Sequence, residues 1–303
     1  MKFLIICMIP LMFWSCNLAK WNQKRLDKKL SRNGLQQNVF QNEAHKIHYF
    51  SGGEGETVLL IHGFGGDAQI TWYKTMLDLV KDYHIIAPDL LWFGKSESTK
   101  TPELATQVDA IYDLLDHLGV EKCKIVGISY GGFVSMGMLY EHPDRVEKLA
   151  MVDSPGVTYD VSLLNDLCEI AGVDEIQDIF VVKSQEDVKR LFEFTFYNDK
   201  MIPKKVYRDA YELYFSNHHD KLHQLLETIL FEKDRLKTKE PANFPPTVVI
   251  WGEHDQVFPL SEGKKLADFI GAELKIIPKS GHAPNLENFK VFEKQLRTFL
   301  DKE

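Results

Sequence analysis

Cysteine, long apolar runs and surplus positive charge are all scarce in this chain, and each scarcity excludes something. Only four of the 303 residues are cysteine. Cys7 and Cys16 lie near the N-terminus, and Cys123 and Cys168 have no CxxC spacing, so there is no disulfide framework. Cys123, beside Ile125-Val126-Gly127, reads as a buried, inert thiol. The longest apolar run, Phe3–Trp14, is shorter than the roughly 20 residues a spanning helix needs, which excludes a polytopic membrane protein. A formal net charge of −8 argues against a nucleic-acid-binding surface. Internal repeats and low-complexity tracts are missing as well. What is present, 44% hydrophobic and 26% charged residues, is an ordinary globular balance that can fill a full core.

Charge is distributed unevenly. Residues 1–32 carry seven basic side chains and one acid, Asp27, ahead of an acidic body. Lys2 followed by Phe3–Trp14 matches the charged start and apolar stretch of a secretory signal. Ser15-Cys16 resembles the end of a bacterial lipoprotein signal, whose cysteine becomes the acylated first residue. Phe13 and Trp14 depart from that pattern, which usually has Leu and a small residue there. Residues 1–16 are therefore expected to be a leader with Cys16 as lipid attachment site, and residues 17–38 a basic linker, either solvated or lying on anionic lipid. The expected location is the cell envelope, lipid-anchored or exported, with an uncleaved signal anchor as the alternative.

From about residue 45 compact apolar runs alternate with amphipathic stretches. Val58–His62, His84–Pro88, Lys124–Ile128 and Lys148–Asp153 read as buried strands. Thr71–Lys81, Leu104–Leu118 and Phe133–Glu141 read as helices, so the pattern is that of βαβ units and a parallel sheet. After Pro155 the strand signal stops, and residues 160–240 show helical periodicity only. Strands return at Thr247–Gly252 and Glu273–Ile277, and Leu286–Leu300 reads as the closing helix.

The strongest local feature is Gly127-Ile128-Ser129-Tyr130-Gly131. Three fixed residues of about 7% abundance each would recur by chance in about a tenth of such chains, so the pattern alone is weak. Its setting between a strand and a helix strengthens it, because that is the strained turn that presents a serine nucleophile. Serine needs an oriented histidine to act near neutral pH. His282, in Ser280-Gly281-His282-Ala283-Pro284, follows the last strand. Asp255, after the strand Thr247–Trp251, is the favoured orienting acid, and Asp153, at the end of Lys148–Val152, is its rival. His62-Gly63-Phe64-Gly65-Gly66 follows another strand and can offer the Phe64 amide to an oxyanion, with the Tyr130 amide as the second donor.

Over about residues 45–300 these four ordered motifs resemble the α/β-hydrolase superfamily, and within it the capped esterases, monoacylglycerol-lipase-like enzymes and carbon–carbon-bond (meta-cleavage product) hydrolases. The resemblance implies an α/β fold with a mostly parallel eight-stranded sheet flanked by helices. It implies a domain spanning 39–303, with a helical cap at about 156–242. It assigns Ser129 as nucleophile, His282 as base and then acid, Asp255 as orienting carboxylate, and Phe64 and Tyr130 as oxyanion donors. Trp92 stands near a place where the family often has glycine, in Asp89-Leu90-Leu91-Trp92-Phe93-Gly94.

The implied reaction is hydrolysis of carboxylic esters with apolar acyl or acylglycerol groups, and it needs no cofactor and no metal. Alternatives are a carbon–carbon-bond hydrolase, for which Arg190 or Arg208 could bind an acidic substrate, and a non-catalytic ligand receptor on the same fold. A peptidase is a weaker choice. Gly94-Lys95-Ser96 lacks the earlier glycine of a phosphate loop, since Asp89 stands there. His219 and His223, four apart, read as surface residues rather than zinc ligands. Cap aromatics such as Phe192, Phe196, Tyr214 and Phe215 are expected to pack the cap and partly line an apolar pocket.

Overall fold

The computed structural model describes residues 18–198, 202–237 and 243–302. Cys7, Cys16 and the run Phe3–Trp14 lie outside the described residues. Among the described residues no helix is long and apolar enough to cross a membrane.

Among the described residues nine strands form one sheet: β1 (Gln36–Gln41), β2 (His45–Gly52), β3 (Thr57–Ile61), β4 (His84–Pro88), β5 (Glu97–Ser98), β6 (Cys123–Ile128), β7 (Val146–Val152), β8 (Thr247–Gly252) and β9 (Glu273–Ile277). Eight of them run in the order β1-β2-β4-β3-β6-β7-β8-β9, and the two-residue β5 pairs with β2 beside that path. β1 and β4 pair antiparallel with β2, and every pairing from β4 to β9 is parallel. The expected mostly parallel eight-stranded sheet is thus present, with β1 and β2 as its antiparallel edge and a short ninth strand beside it.

The helices are α1 (Leu18–Arg32), α2 (Ala68–Leu79), α3 (Leu104–His117), α4 (Tyr130–Glu141), α5 (Val161–Ala171), α6 (Gln177–Phe180), α7 (Gln185–Thr195), α8 (Lys204–Ala210), α9 (His219–Lys237), α10 (Leu260–Ile270), α11 (Pro284–Glu287) and α12 (Phe289–Leu300). Strand side chains alternate, so each face of the sheet builds its own core. Val126, Ile128, Ala150 and Val152 pack with Trp72 and Met76 of α2 and Phe292 and Leu296 of α12. Ile125, Leu149 and Met151 face the other way, onto Leu104 and Val108 of α3, Met136 of α4 and Leu266 of α10. Helices therefore cover both faces, and both faces of the central strands must be apolar, as their unbroken Val/Ile/Leu runs require.

Residues 17–38 are more than a linker. They hold α1 and the start of β1, and α1 buries Leu26 and Leu30, four apart on one side. Asp27, the only acid of that helix, accepts hydrogen bonds from Gln69 of α2 and Gln37 of β1. Its basic residues Lys20, Lys24, Arg25, Lys28, Lys29 and Arg32 are all exposed.

The insertion between β7 and β8 is helical, from α5 to α9, as its periodicity predicts. One turn of it, Tyr211–Phe215, is a π-helix. Its Tyr214 and Phe215 both face the cavity described below. Phe215 stands against Gly65, with Cε1 3.0 Å from where a Cβ would be.

Candidate active site

β6 ends at Ile128 and α4 begins at Tyr130, which leaves Ser129 alone to make the turn. It does so at φ 53, ψ −120, a region that costs a non-glycine residue about 1–3 kcal/mol. Its amide donates to Val152 O at 2.9 Å and its carbonyl accepts from Gly132 N at 2.9 Å, so the strained turn is held at both ends. Two glycines permit it. A Cβ on Gly127 would lie 2.2 Å from Ser135 Oγ, and one on Gly131 would lie 2.3 Å from Ile61 O. Tyr130 is the first residue of α4, so its amide is among those no turn of the helix can accept.

Ile61 ends β3, and the chain then passes over Ser129. A Cβ on Gly63 would lie 3.1 Å from the Ser129 Cβ. His62 fixes this loop from below. Its Nδ1 donates to Gly63 O at 2.7 Å, and its Nε2 accepts from Leu90 N at 2.9 Å, which sets one neutral tautomer. Burial pushes its pKa down to about 4. Asp67 caps α2 through Ile70 N at 2.7 Å, and Asp89 reaches Ala68 N at 3.0 Å. Burial raises both carboxyls, and the charge of Asp67 raises Asp89 further. Trp92, where a glycine is usual, adopts φ 68 with its ring buried, so the loop keeps a left-handed turn without the glycine.

His282 lies in the loop after β9. Its Nδ1 is 2.7 Å from Asp255 Oδ2, and Asp255 Oδ1 accepts from Val257 N at 2.8 Å and Phe258 N at 3.0 Å. The aspartate is therefore locked by three bonds, and its second oxygen aims at the ring. His282 Nε2 is buried and has no partner among the described residues, leaving it available to a proton in the cavity. The insertion grips this loop directly: His282 N donates to Thr195 O at 2.7 Å. Glu287 accepts from Tyr197 N at 2.8 Å and Gly281 N at 2.7 Å.

Ser129, Gly63, Phe64 and His282 share the wall of a cavity of about 520 Å³. That size suits a medium organic ligand. Ile70, Leu191, Phe192, Phe196 and Phe215 make it apolar, and Ala19, Trp21 and Asn22 of α1 close one side. A second, smaller apolar cavity of about 50 Å³ also touches Ser129, lined by Phe133, Tyr159, Ile229 and Phe258 among others. Phe64 and Phe180 border both, with ring centroids 6.3 Å apart.

The structure thus brings together Ser129, Phe64, Tyr130, Asp255 and His282. The rival acid Asp153 lies close by, but its Oδ1 accepts from Gly252 N at 2.7 Å and it makes no hydrogen bond to His282. Arg190 is tied to Asp187 at 2.8 Å, Arg208 to Asp209 at 3.2 Å, and neither lines the two cavities. His219 bonds Phe215 O at 2.7 Å and His223 faces Glu227 at 3.6 Å, so they point to separate partners. Cys123 is buried, with its thiol pushed up to about 12 by burial. Cys168 is half-buried, and Cys16 lies outside the described residues.

The sequence profile of the alpha/beta hydrolase fold matches residues 56–289. The chain belongs to that family. This α/β hydrolase is 27% identical to Lipase 3 of Moraxella sp. (strain TA144) over 252 residues, covering 82% of this chain and 78% of the lipase. It is 27% identical to the 2-hydroxymuconate semialdehyde hydrolase of Pseudomonas sp. (strain CF600), over 82% of this chain and 88% of that protein. Among solved structures, a membrane phospholipase A superposes with a TM-score of 0.76 at 26% identity, covering 96% of this hydrolase and 93% of the phospholipase. Motif order could not reveal His62 as the tie beneath the Phe64 loop, nor α1 as a wall of the cavity. Only the fold brings those residues to the site.

Proposed function

We propose that this hydrolase cleaves carboxylic esters with apolar acyl groups, lipid esters included, through an acyl-enzyme on Ser129. The observation that carries the reading is the junction at Ser129: a strained serine on the wall of two apolar cavities, beside a histidine whose other nitrogen is held by a fixed carboxylate. His282 Nε2 takes the Ser129 proton as Oγ attacks the carbonyl, and Asp255 stabilises the imidazolium. The amides of Phe64 and Tyr130 stabilise the oxyanion, each worth about 3 kcal/mol of barrier. The alcohol leaves with the proton from His282, and water then repeats the sequence in reverse. Every group this needs is a side chain or amide of the chain, so the mechanism calls on no cofactor.

Likeness to a lipase and a phospholipase supports an ester, while likeness to the semialdehyde hydrolase keeps a carbon–carbon substrate in play. Among the described residues no lysine or arginine lines either cavity. That favours a neutral ester over an acidic substrate. The exposed basic face of α1 and the apolar run before it support action at an anionic membrane surface, with Cys16 as the anchor.

The test is hydrolysis of p-nitrophenyl esters from acetate to palmitate by the full chain and by Ser129→Ala. Ester cleavage that disappears in the variant, with an optimum at a medium or long acyl group, is expected. Folded wild-type protein no faster than the variant at every chain length would end the ester reading. Fluorophosphonate labelling of Ser129 without ester turnover would then favour carbon–carbon substrates, and no labelling would favour a receptor.

A further inference from the structure

Asp153 is a buried carboxyl that the proposed reaction does not use. It follows β7 at φ 43, a strained backbone for a non-glycine residue, and its side chain is wholly buried. Only one of its oxygens is occupied. Oδ1 accepts from Gly252 N at 2.7 Å, while Oδ2 has no partner among the described residues. A carboxylate oxygen of Asp153, one of Asp255 and a ring nitrogen of His282 all lie within 4.8 Å of one another. Leaving a polar atom buried and unsatisfied costs about 1–3 kcal/mol, and capping the Gly252 amide at the end of β8 needs only one of the two oxygens.

The groups around this carboxyl decide its state. Asp255 faces it from the loop after β8, Glu287 from α11, and His282 from the loop after β9. Burial first, then the charge of Asp255, hold the Asp153 carboxyl well above the usual carboxylate range. Two carboxyls this close keep one negative charge between them. Replacing Asp255 removes the repulsion but leaves the burial, so Asp153 then ionises as pH rises, with an oxygen within 4.8 Å of a ring nitrogen of His282.

We propose that Asp153 is a positioning residue for His282, a second carboxyl that can supply the negative charge opposite the imidazolium when Asp255 does not. This rests on the Ser129 mechanism above. The proton balance is unchanged: Ser129 Oγ gives its proton to His282 Nε2, Nδ1 keeps its own, and the charge opposite it sits on Asp153 instead of Asp255.

The experiment is a mutant cycle on the full chain with Asp153→Asn, Asp255→Asn and the double variant. Asparagine keeps an acceptor for the Gly252 amide at one site and for the Val257 and Phe258 amides at the other, and thermal melts check folding. The readouts are p-nitrophenyl ester turnover and the rate of labelling by a fluorophosphonate. In labelling, the Oγ–P bond forms, fluoride leaves and the serine proton passes to His282. Labelling reports on the triad even if the ester substrate is wrong. Asp153→Asn alone should stay within about threefold of wild type. Asp255→Asn should be strongly impaired at neutral pH and recover as pH rises and Asp153 ionises, to at least tenfold above the double variant. Equal rates for Asp255→Asn and the double variant at every pH, in folded proteins, would refute the proposal. A loss in Asp153→Asn as large as in Asp255→Asn would refute it too, since Asp153 would then be needed all the time. Wild type that neither turns over ester nor labels at Ser129 would overturn the hydrolase mechanism and this inference with it. Labelling without ester turnover would count against the ester reading alone.

Discussion

Gly131 allows a direct test of how closely the elbow and the Phe64 loop depend on each other. A methyl added there would lie 2.3 Å from Ile61 O and 2.6 Å from His62 O. Carbon and oxygen normally sit about 3.5 Å apart, so one side must retreat by about 1 Å. The two sides are the end of β3, which leads into Gly63-Phe64, and the first turn of α4, which begins at Tyr130. Both carry a proposed oxyanion donor, so the shift falls on the reacting geometry whichever side yields. A misplacement of about 1 Å costs about 100-fold, equivalent to about 2.7 kcal/mol of barrier. Overpacking should also cost about 1–3 kcal/mol of stability. Gly131→Ala should therefore fold with a lowered Tm and lose about two orders of magnitude in kcat on a p-nitrophenyl ester, with KM little changed. Gly119→Ala is the control. Gly119 has φ +69 and open space around its Cβ position, so it should lose only about 1–2 kcal/mol of stability and keep full activity. If folded Gly131→Ala retains more than a third of the wild-type kcat, the close-approach argument is wrong.

Three further outcomes are expected. His62 is held at about 4 against an ordinary 6.5, so the unfolded chain binds its proton first. The stability from the neutral ring is full above pH 6.5 and falls by about 3 kcal/mol as pH drops to 4. Melting curves of wild type and His62→Gln should converge over that window, and parallel curves would contradict the tie. Leu30 of α1, fully buried, should cost about 2–5 kcal/mol when changed to alanine, measured by denaturant titration. An undiminished midpoint would mean that α1 is not part of the folded body. Phe180 borders both cavities, so Phe180→Ala should join them and move the chain-length optimum to longer acyl groups, with roughly tenfold changes in relative kcat/KM. An unchanged optimum would show that Phe180 does not divide the substrate.

Much of the sheet was readable because its central strands are buried on both faces. His84–Pro88 matches β4 residue for residue, and β3, β6, β7, β8 and β9 fall within two residues of the expected limits. The antiparallel edge was not readable. β1, Gln-Gln-Asn-Val-Phe-Gln, buries only Phe40, so it carries neither an apolar run nor a full alternation. α1 was hidden for a similar reason. Two buried leucines among six basic residues look like a solvated segment until the fold brings α2, with Trp72 and Met76, against Leu30. That the candidate residues meet at the strand ends was readable because glycine spacing and chain order carry over to geometry there. The unused oxygen of Asp153 and the divided cavity were not, since both depend on elements far apart in sequence.

Because Ala19, Trp21 and Asn22 form part of the cavity wall, the point at which the chain is cut near its start also sets the size of the substrate chamber. A form beginning at residue 23 would keep the buried Leu26 and Leu30 and so its hold on the body, yet it would lack one wall. Chain trimming could then change substrate preference in a protein that melts normally, and N-terminal proteoforms of this hydrolase would differ in what they digest rather than in whether they fold.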